Sequence, residues 1–104
     1  MGKRQNAPII DYPYIRFRSQ QAILSLLRSW LPDGKVKGQE YIALNPTRVD
    51  HHASSFRINI RSGRWADFAT GDKGGDLIAL LAYLQNIRQH EAAIRLSRML
   101  VMEG

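Results

Sequence analysis

No cysteine occurs among the 104 residues, which excludes disulfide bonds and thiolate metal ligands. No run approaches the ~18 consecutive apolar residues that a membrane-spanning helix needs. The basic start at residues 1–6 has no apolar segment behind it, so we expect no signal peptide. We therefore expect a cytoplasmic protein that does not contact a membrane.

Acidic residues are scarce: nine Asp and Glu stand against fifteen Lys and Arg, which gives a net charge of +6. The excess is concentrated in residues 1–18 and 35–73, whereas the C-terminal part is nearly balanced. Such a surface is either a soluble surface that happens to be positive or a nucleic-acid footprint, because clustered Lys and Arg displace counterions from phosphates. The clustering favours nucleic acid.

The N-terminal third predicts an arm followed by a helix. Residues 1–18 contain two prolines and alternate polar with aromatic residues, which indicates an extended arm packed on the body. In residues 19–31 apolar side chains recur at helical spacing, and Pro32-Asp33-Gly34 ends that helix. The basic residues 35–39 then predict a loop.

The middle of the chain predicts a small sheet. A short apolar run at 41–44 indicates a buried strand, and residues 47–55 are polar and irregular. Residues 56–61 alternate apolar with polar side chains, the clearest two-residue period in the sequence. Ser62-Gly63 predicts a tight turn, and residues 65–68 return as the partner strand of a hairpin.

The C-terminal third predicts two helices. Residues 72–75 are glycine-rich and indicate a turn, after which Asp76 is placed to cap a helix through its carboxylate. Apolar residues predict a largely buried helix over 77–84 and a last helix over 89–101.

These elements predict an α+β fold. We expect an antiparallel sheet of about three strands, packed with one N-terminal helix and two C-terminal helices. The length and the absence of linkers or repeats predict a single domain over residues 19–104, preceded by the arm at residues 1–18.

Five short motifs follow one another in a definite order along residues 41–101. These motifs are Asn45-Pro46-Thr47-Arg48, Ser54-Ser55-Phe56, Trp65-Ala66-Asp67-Phe68, Gly74-Gly75-Asp76 and Glu91-Ala92-Ala93. Their order resembles the zinc-binding domain at the front of bacterial replicative primases, and especially such modules in primase–helicases of phages, plasmids and integrated elements. The resemblance implies a zinc-ribbon-like sheet and a role with template DNA in replication.

The zinc ligands of that family are missing here. By position, the resemblance places Asn45, Arg48, Asp67 and Thr70 where the ligands stand, and this set does not make a tetrahedral zinc site. We therefore expect no metal and no cofactor. Asp67 and Thr70 are expected instead to accept hydrogen bonds from backbone N–H groups of the glycine turn.

A rescued metal site is the alternative. It would use His51 and His52 together with Asp50 or Asp67. Adjacent residues of an extended segment point to opposite sides, which makes it hard for both imidazoles to face one ion.

Cations and aromatic rings in the sheet region suggest a surface for single-stranded nucleic acid, since cations follow phosphates and rings stack on unpaired bases. Trp65 could instead be a core residue, and the arginines could instead form an ordinary solvated face. Phe68 is expected in the core. The predicted nucleic-acid-binding residues are Arg57, Arg61, Arg64, Trp65, Lys73, Lys35 and Lys37.

The expected function is a non-catalytic module or accessory subunit that binds single-stranded DNA and acts with a replication primase, helicase or polymerase. The sequence shows no Ser-His-Asp arrangement, no paired catalytic carboxylates and no acidic cluster for catalytic magnesium, so we do not expect an enzyme. The alternative is an interaction or inhibitor protein of a mobile genetic element that docks on a replication or host defence complex.

Overall fold

The computed structural model describes residues 10–49 and 55–103, which form an α+β fold. Within them a five-stranded antiparallel sheet is accompanied by four helices, so the expected class is confirmed and the expected number of strands is wrong. The elements are α1 (Tyr12–Gln21), α2 (Ile23–Trp30), β1 (Lys35–Lys37), β2 (Glu40–Ala43), β3 (Phe56–Asn59), β4 (Trp65–Asp67), β5 (Lys73–Gly74), α3 (Leu77–Gln85) and α4 (Gln89–Glu103).

The N-terminal part is helical from Tyr12, which corrects the expectation of an extended arm as far as residues 12–18 are concerned. Asp11 caps this helix through its carboxylate, which accepts from the backbone N–H of Tyr14 at 3.1 Å, and a proline occupies the first turn, where it is tolerated. The predicted helix over 19–31 is divided by Ala22 between α1 and α2. Residues 1–9 lie outside the described part.

The two additional strands lie at the edges of the sheet, whose order is β1-β2-β3-β4-β5. Residues 35–37 were expected in a loop but pair with β2 through a two-residue turn, in which Gly38 takes a φ of 62° that few other residues adopt. Lys73 and Gly74 were expected in a turn but pair with β4. Both strands are too short to show a periodic pattern in the sequence.

One face of the sheet is buried against the helices, as the alternation in β3 predicted. Phe56 and Ile58 are fully buried, and Tyr41 of β2 donates its hydroxyl to the carbonyl of Leu31 at 2.6 Å, next to the end of α2. The ring of Trp65 lies 4.8 Å from that of Tyr83 on α3, measured between centroids. The sheet therefore packs on the helices through this inner face, and the opposite, outer face is the one available to a ligand.

The predicted cap and the two C-terminal helices are confirmed. Asp76 accepts from the backbone N–H of Ala79 at 2.8 Å and also from Arg16 of α1 at 2.9 Å, so one carboxylate both starts α3 and holds α1. Asn86 ends α3 in the left-handed conformation with φ 53°. Helix α4 then begins at Gln89.

Candidate nucleic-acid interface

The outer face of the sheet carries a line of residues that crosses all five strands. The strand register places Lys35, Ile42, Arg57, Ala66 and Lys73 next to one another, one from each strand. Four steps of about 4.8 Å between strands give this line a length of about 19 Å. We call it the cross-strand line; it has a cation at each end and one in the middle.

Two further predicted cations extend the positive charge of this face. Lys37 is exposed on β1, two residues from Lys35 and therefore on the same side of the strand, and Arg64 is exposed just before β4. Glu40 is the acidic residue among the outward-facing residues of the described strands, and it forms an ion pair with Arg57 at 3.0 Å. Because both side chains are more than one-third exposed, this ion pair contributes little free energy, and a phosphate can replace Glu40 as the partner of Arg57.

Arg61 does not lie on this face. Strand β3 ends at Asn59, whose side-chain oxygen accepts from the backbone N–H groups of Arg61 and Ser62 at 2.9 Å each. Arg61 is therefore exposed in the turn between β3 and β4, rather than aligned with Arg57 as the alternation suggested. The correction follows from the asparagine, which closes the turn earlier than the apolar pattern indicates.

Trp65 of β4 and Phe68, which directly follows β4, differ from expectation in their exposure. Trp65 is only 5% exposed, which agrees with its alternative as a core residue and leaves no open ring for stacking. Phe68, expected in the core, is 72% exposed, so that expectation is wrong. It is two residues beyond Ala66 and its N–H donates to the carbonyl of Ser55 at 2.8 Å, which prolongs the strand pairing and places Phe68 on the outer face.

A shallow basin of about 190 Å³ lies on this face beside Phe68. Its outline is formed by residues of three neighbouring strands and by the two residues that flank β4: Glu40, Arg57, Asn59, Arg64, Trp65, Ala66 and Phe68. Two arginines and a phenylalanine with an exposed ring thus border the same basin. Glu40 and Phe68 were not predicted as part of this surface from the sequence. The signal for Phe68 was the two-residue period of the strand, which puts it on the same side as Ala66.

Three of the four positions singled out by the resemblance come together at one end of the sheet. The side-chain amide of Asn45 donates to a carboxylate oxygen of Asp67 at 2.8 Å, and Arg48 donates to the two oxygens of the same carboxylate at 3.1 and 3.3 Å. Asp67 and Asn45 are buried, whereas the Arg48 side chain is 29% exposed. We call Asn45, Arg48 and Asp67 the sheet-end cluster.

The charge of Asp67 is stabilised inside this cluster. Burial raises the pKa of its carboxyl, but hydrogen bonds from Arg48, Asn45 and the backbone N–H of Ala69 outweigh that effect and lower it from 3.8 to about 2. Asp67 is consequently ionised near neutral pH, with the Arg48 guanidinium as its counterion. The positive charge next to the Asp67 carboxylate is thus a side chain of the protein, Arg48.

The expected hydrogen bond to the glycine turn is confirmed for Thr70, whereas Asp67 bonds to an N–H that precedes residues 72–75. Asp67 accepts from the N–H of Ala69 at 2.9 Å, and the Thr70 hydroxyl accepts from the N–H of Asp72 at 3.2 Å. Thr70 itself is exposed, and the turn is ordered by its N–H, which donates to the Asp67 carbonyl at 3.2 Å, and by its hydroxyl, which accepts from Asp72.

Tyr83 connects this cluster to α3 and was missed by sequence reasoning. Its hydroxyl donates to Asp72 at 2.7 Å and accepts from Asn45 at 2.8 Å and from Thr47 at 3.1 Å. The signal available in the sequence was a tyrosine within an otherwise apolar helix, because a half-buried tyrosine hydroxyl usually finds a polar partner.

Metal ligands are not grouped in the described part of the chain: residues 10–49 and 55–103 contain no set of three or more His, Asp or Glu placed to hold an ion. His51, His52 and Asp50, the residues of the alternative metal site, lie outside the described residues. None of the helices in the described ranges is long and apolar enough to cross a membrane.

No profile of a known protein family, no curated protein and no solved structure matches the chain. The resemblance to primase zinc-binding domains therefore stays a prediction, which rests on the ordered motifs.

Proposed function

We propose that this protein is a non-catalytic module that binds single-stranded nucleic acid on the outer face of its sheet. The observation that carries the proposal is the cross-strand line, in which the register brings Lys35, Arg57 and Lys73 onto one surface from distant parts of the sequence. With Lys37 and Arg64, five cations share this face.

The shape of the face favours a single strand over a duplex. The face of a five-stranded sheet is broader than the helix or two-stranded ribbon that a major groove admits. It matches the general form of single-strand sites, in which cations follow the backbone and rings contact unpaired bases. Gly75 lies two residues after Lys73, and a Cβ there would meet no described atom within 4 Å, so a phosphate has room to approach the backbone beside it.

The motif order supports a setting in DNA replication, where the module would act with a primase, helicase or polymerase carried by another chain. The sheet-end cluster fits this proposal, because it stabilises the end of the sheet with a carboxylate, an amide and a guanidinium at positions where the resembled family uses zinc. A metal-free module of this kind keeps the sheet surface without depending on an ion.

The test is a titration of a fluorescein-labelled 12-nucleotide single strand at several salt concentrations. Five phosphate contacts at about 0.7 each give a slope of log Kobs against log salt of roughly −3 to −4. The double variant K35Q/K73Q should lower the slope magnitude by about 1.4, because it removes two contacts.

The matched control is the double variant R88Q/R98Q, which removes the same number of charges from exposed positions away from the sheet. It should leave the slope close to that of the unmodified protein. Absence of binding at low salt, or an equal loss of slope in both double variants, would reject the proposed face.

A second candidate function is an interaction with a partner protein of the replication or defence machinery. It is favoured by exposed apolar side chains on α1 and α4, namely Tyr14, Phe17, Val101 and Met102. If this candidate holds, F17S/V101S should abolish association with a purified partner subunit while oligonucleotide affinity is unchanged. Loss of both properties together would contradict two separate surfaces.

A further inference from the structure

The exposed ring of Phe68 is the least expected feature of the outer face. A phenyl ring that is 72% exposed forgoes most of the burial free energy available to it. It borders the basin described above, which Arg57 and Arg64 also border. A lone exposed apolar residue needs no explanation, but this ring is placed within a cationic basin.

The backbone that carries Phe68 is held in place on both sides. Its own N–H donates to Ser55, and the following turn is closed by the N–H of Gly71, which donates to the carbonyl of Asp67 at 2.8 Å. The carboxylate of Asp67 also holds the N–H of Ala69. A ring mounted on such a turn loses little backbone freedom when it contacts a ligand, which favours binding.

The dimensions of the basin limit what it can hold. Its volume of about 190 Å³ is below the roughly 300–1,000 Å³ of pockets that enclose a drug-sized ligand. One planar ring fits, with its sugar and phosphates outside on the cationic surface. An acidic peptide would match the charge but would leave the face of the phenyl ring without a planar partner.

From these observations we infer that Phe68 stacks on one unpaired base, which lies in the basin while the flanking phosphates contact Arg64 and the cross-strand line. The inference rests on the proposed function and deepens it, because it assigns the contact that distinguishes a single strand from other polyanions. In a duplex the faces of the bases are covered by their neighbours, so the ring has nothing to stack on.

The experiment uses a 12-nucleotide single strand with one 2-aminopurine, whose fluorescence is quenched when the base stacks. The unmodified protein should quench it. F68L keeps an apolar side chain but removes the aromatic face, so quenching should disappear and affinity should fall at least about fivefold, the lower end of the range for one lost stack. The salt slope should not change, because no phosphate contact is removed.

The matched control is F17L, the same substitution at another exposed phenylalanine, on α1, which should leave affinity and quenching unchanged. F68Y keeps an aromatic face and should retain both. Thermal unfolding monitored by circular dichroism confirms that each variant is folded before its binding is compared.

Three results would overturn the inference. The first is unchanged affinity and quenching in F68L with a normal salt slope, which would leave the proposed function intact. The second is an equal loss of affinity for a poly-glutamate peptide in F68L, since that polymer has no base. The third is absence of oligonucleotide binding by the unmodified protein, which would remove the proposed function as well.

Discussion

Lowering the pH through the titration range of Asp67 should destabilise the fold by about 2 kcal/mol. The carboxyl has a pKa of about 2 in the folded protein and 3.8 as its reference value. Each unit of difference is worth about 1.36 kcal/mol, and the side chain is fully buried, so solvent screening does not reduce the effect.

The sign follows from proton binding. Because the folded-state pKa is lower, the unfolded chain takes up a proton first as the pH falls. The contribution of Asp67 is therefore complete above pH 3.8 and is lost as the pH falls through about 2. At neutral pH the interaction with Arg48 and Asn45 is fully present.

Urea unfolding followed by tryptophan fluorescence at pH 7, 4, 3 and 2 would measure this loss. The comparison is with D67N, which keeps the shape of the side chain and cannot titrate. All other carboxyl groups are common to the two proteins, so the difference between their free energies of unfolding isolates Asp67 and should shrink by about 2 kcal/mol between pH 7 and 2.

A second variant tests the cause that we assign to the low pKa. R48M removes the guanidinium donors at 3.1 and 3.3 Å, so burial should raise the pKa of Asp67 from about 2 towards its reference value of 3.8, and the stability lost on acidification should become smaller. Carbon-13 NMR titration of the carboxyl group measures this shift directly. Parallel pH profiles for the unmodified protein and D67N would refute the reasoning.

The remaining predictions concern two tight contacts of the fold. G74A should lower the free energy of unfolding in urea by about 1–3 kcal/mol, because the new Cβ would lie 2.5 Å from Nε1 of Trp65. The control G75A, whose Cβ meets no described atom within 4 Å, should leave this free energy nearly unchanged. Equal losses in the two variants would contradict the packing argument. D76A should lower the free energy of unfolding by about 1–2 kcal/mol through loss of the cap and of the ion pair to Arg16, whereas R16M should cost less than about 1 kcal/mol. A larger loss in R16M than in D76A would show that the cap is not the main contribution.

Most of the fold could be predicted where a side-chain pattern reflects burial on one face. The alternation around Phe56 and Ile58 predicted β3, and the position of Asp76 before an apolar run predicted both the cap and the start of α3. Helix α4 was predicted in the same way. In each of these cases local propensity and tertiary packing favour the same structure.

The failures occur where the backbone pairs without such a pattern. All three residues of β1 are exposed, so their strand conformation depends on hydrogen bonds to β2 rather than on burial. Residues 12–18 lack a strong apolar stripe, and their helix is stabilised by the Asp11 cap and by burial of Ile15. Phe68 is exposed because it continues the outward side of β4, although its hydrophobicity alone favours the core.

The charged residues of the candidate site were predicted from the sequence, but its exposed aromatic residue was not. Lys35, Arg57 and Lys73 were proposed from composition and alternation, but their alignment depends on the five-stranded register, which no local pattern contains. The sheet-end cluster could be located because Asn45 and Asp67 occupy motif positions. Its hydrogen bonds to Tyr83 depend on how α3 packs against the sheet.

The central claim is that the outer sheet face is where the protein holds an unpaired strand. The most direct measurement is a nitrogen-15 NMR titration of the labelled protein with a 12-nucleotide single strand at low salt. We expect the backbone amides of the cross-strand line, Arg64 and Phe68 to shift together with one dissociation constant, while those of Ala92 and Leu96 in the buried part of α4 stay in place. Shifts confined to α1 and α4, with the amides of Arg57 and Lys73 unaffected, would contradict the account.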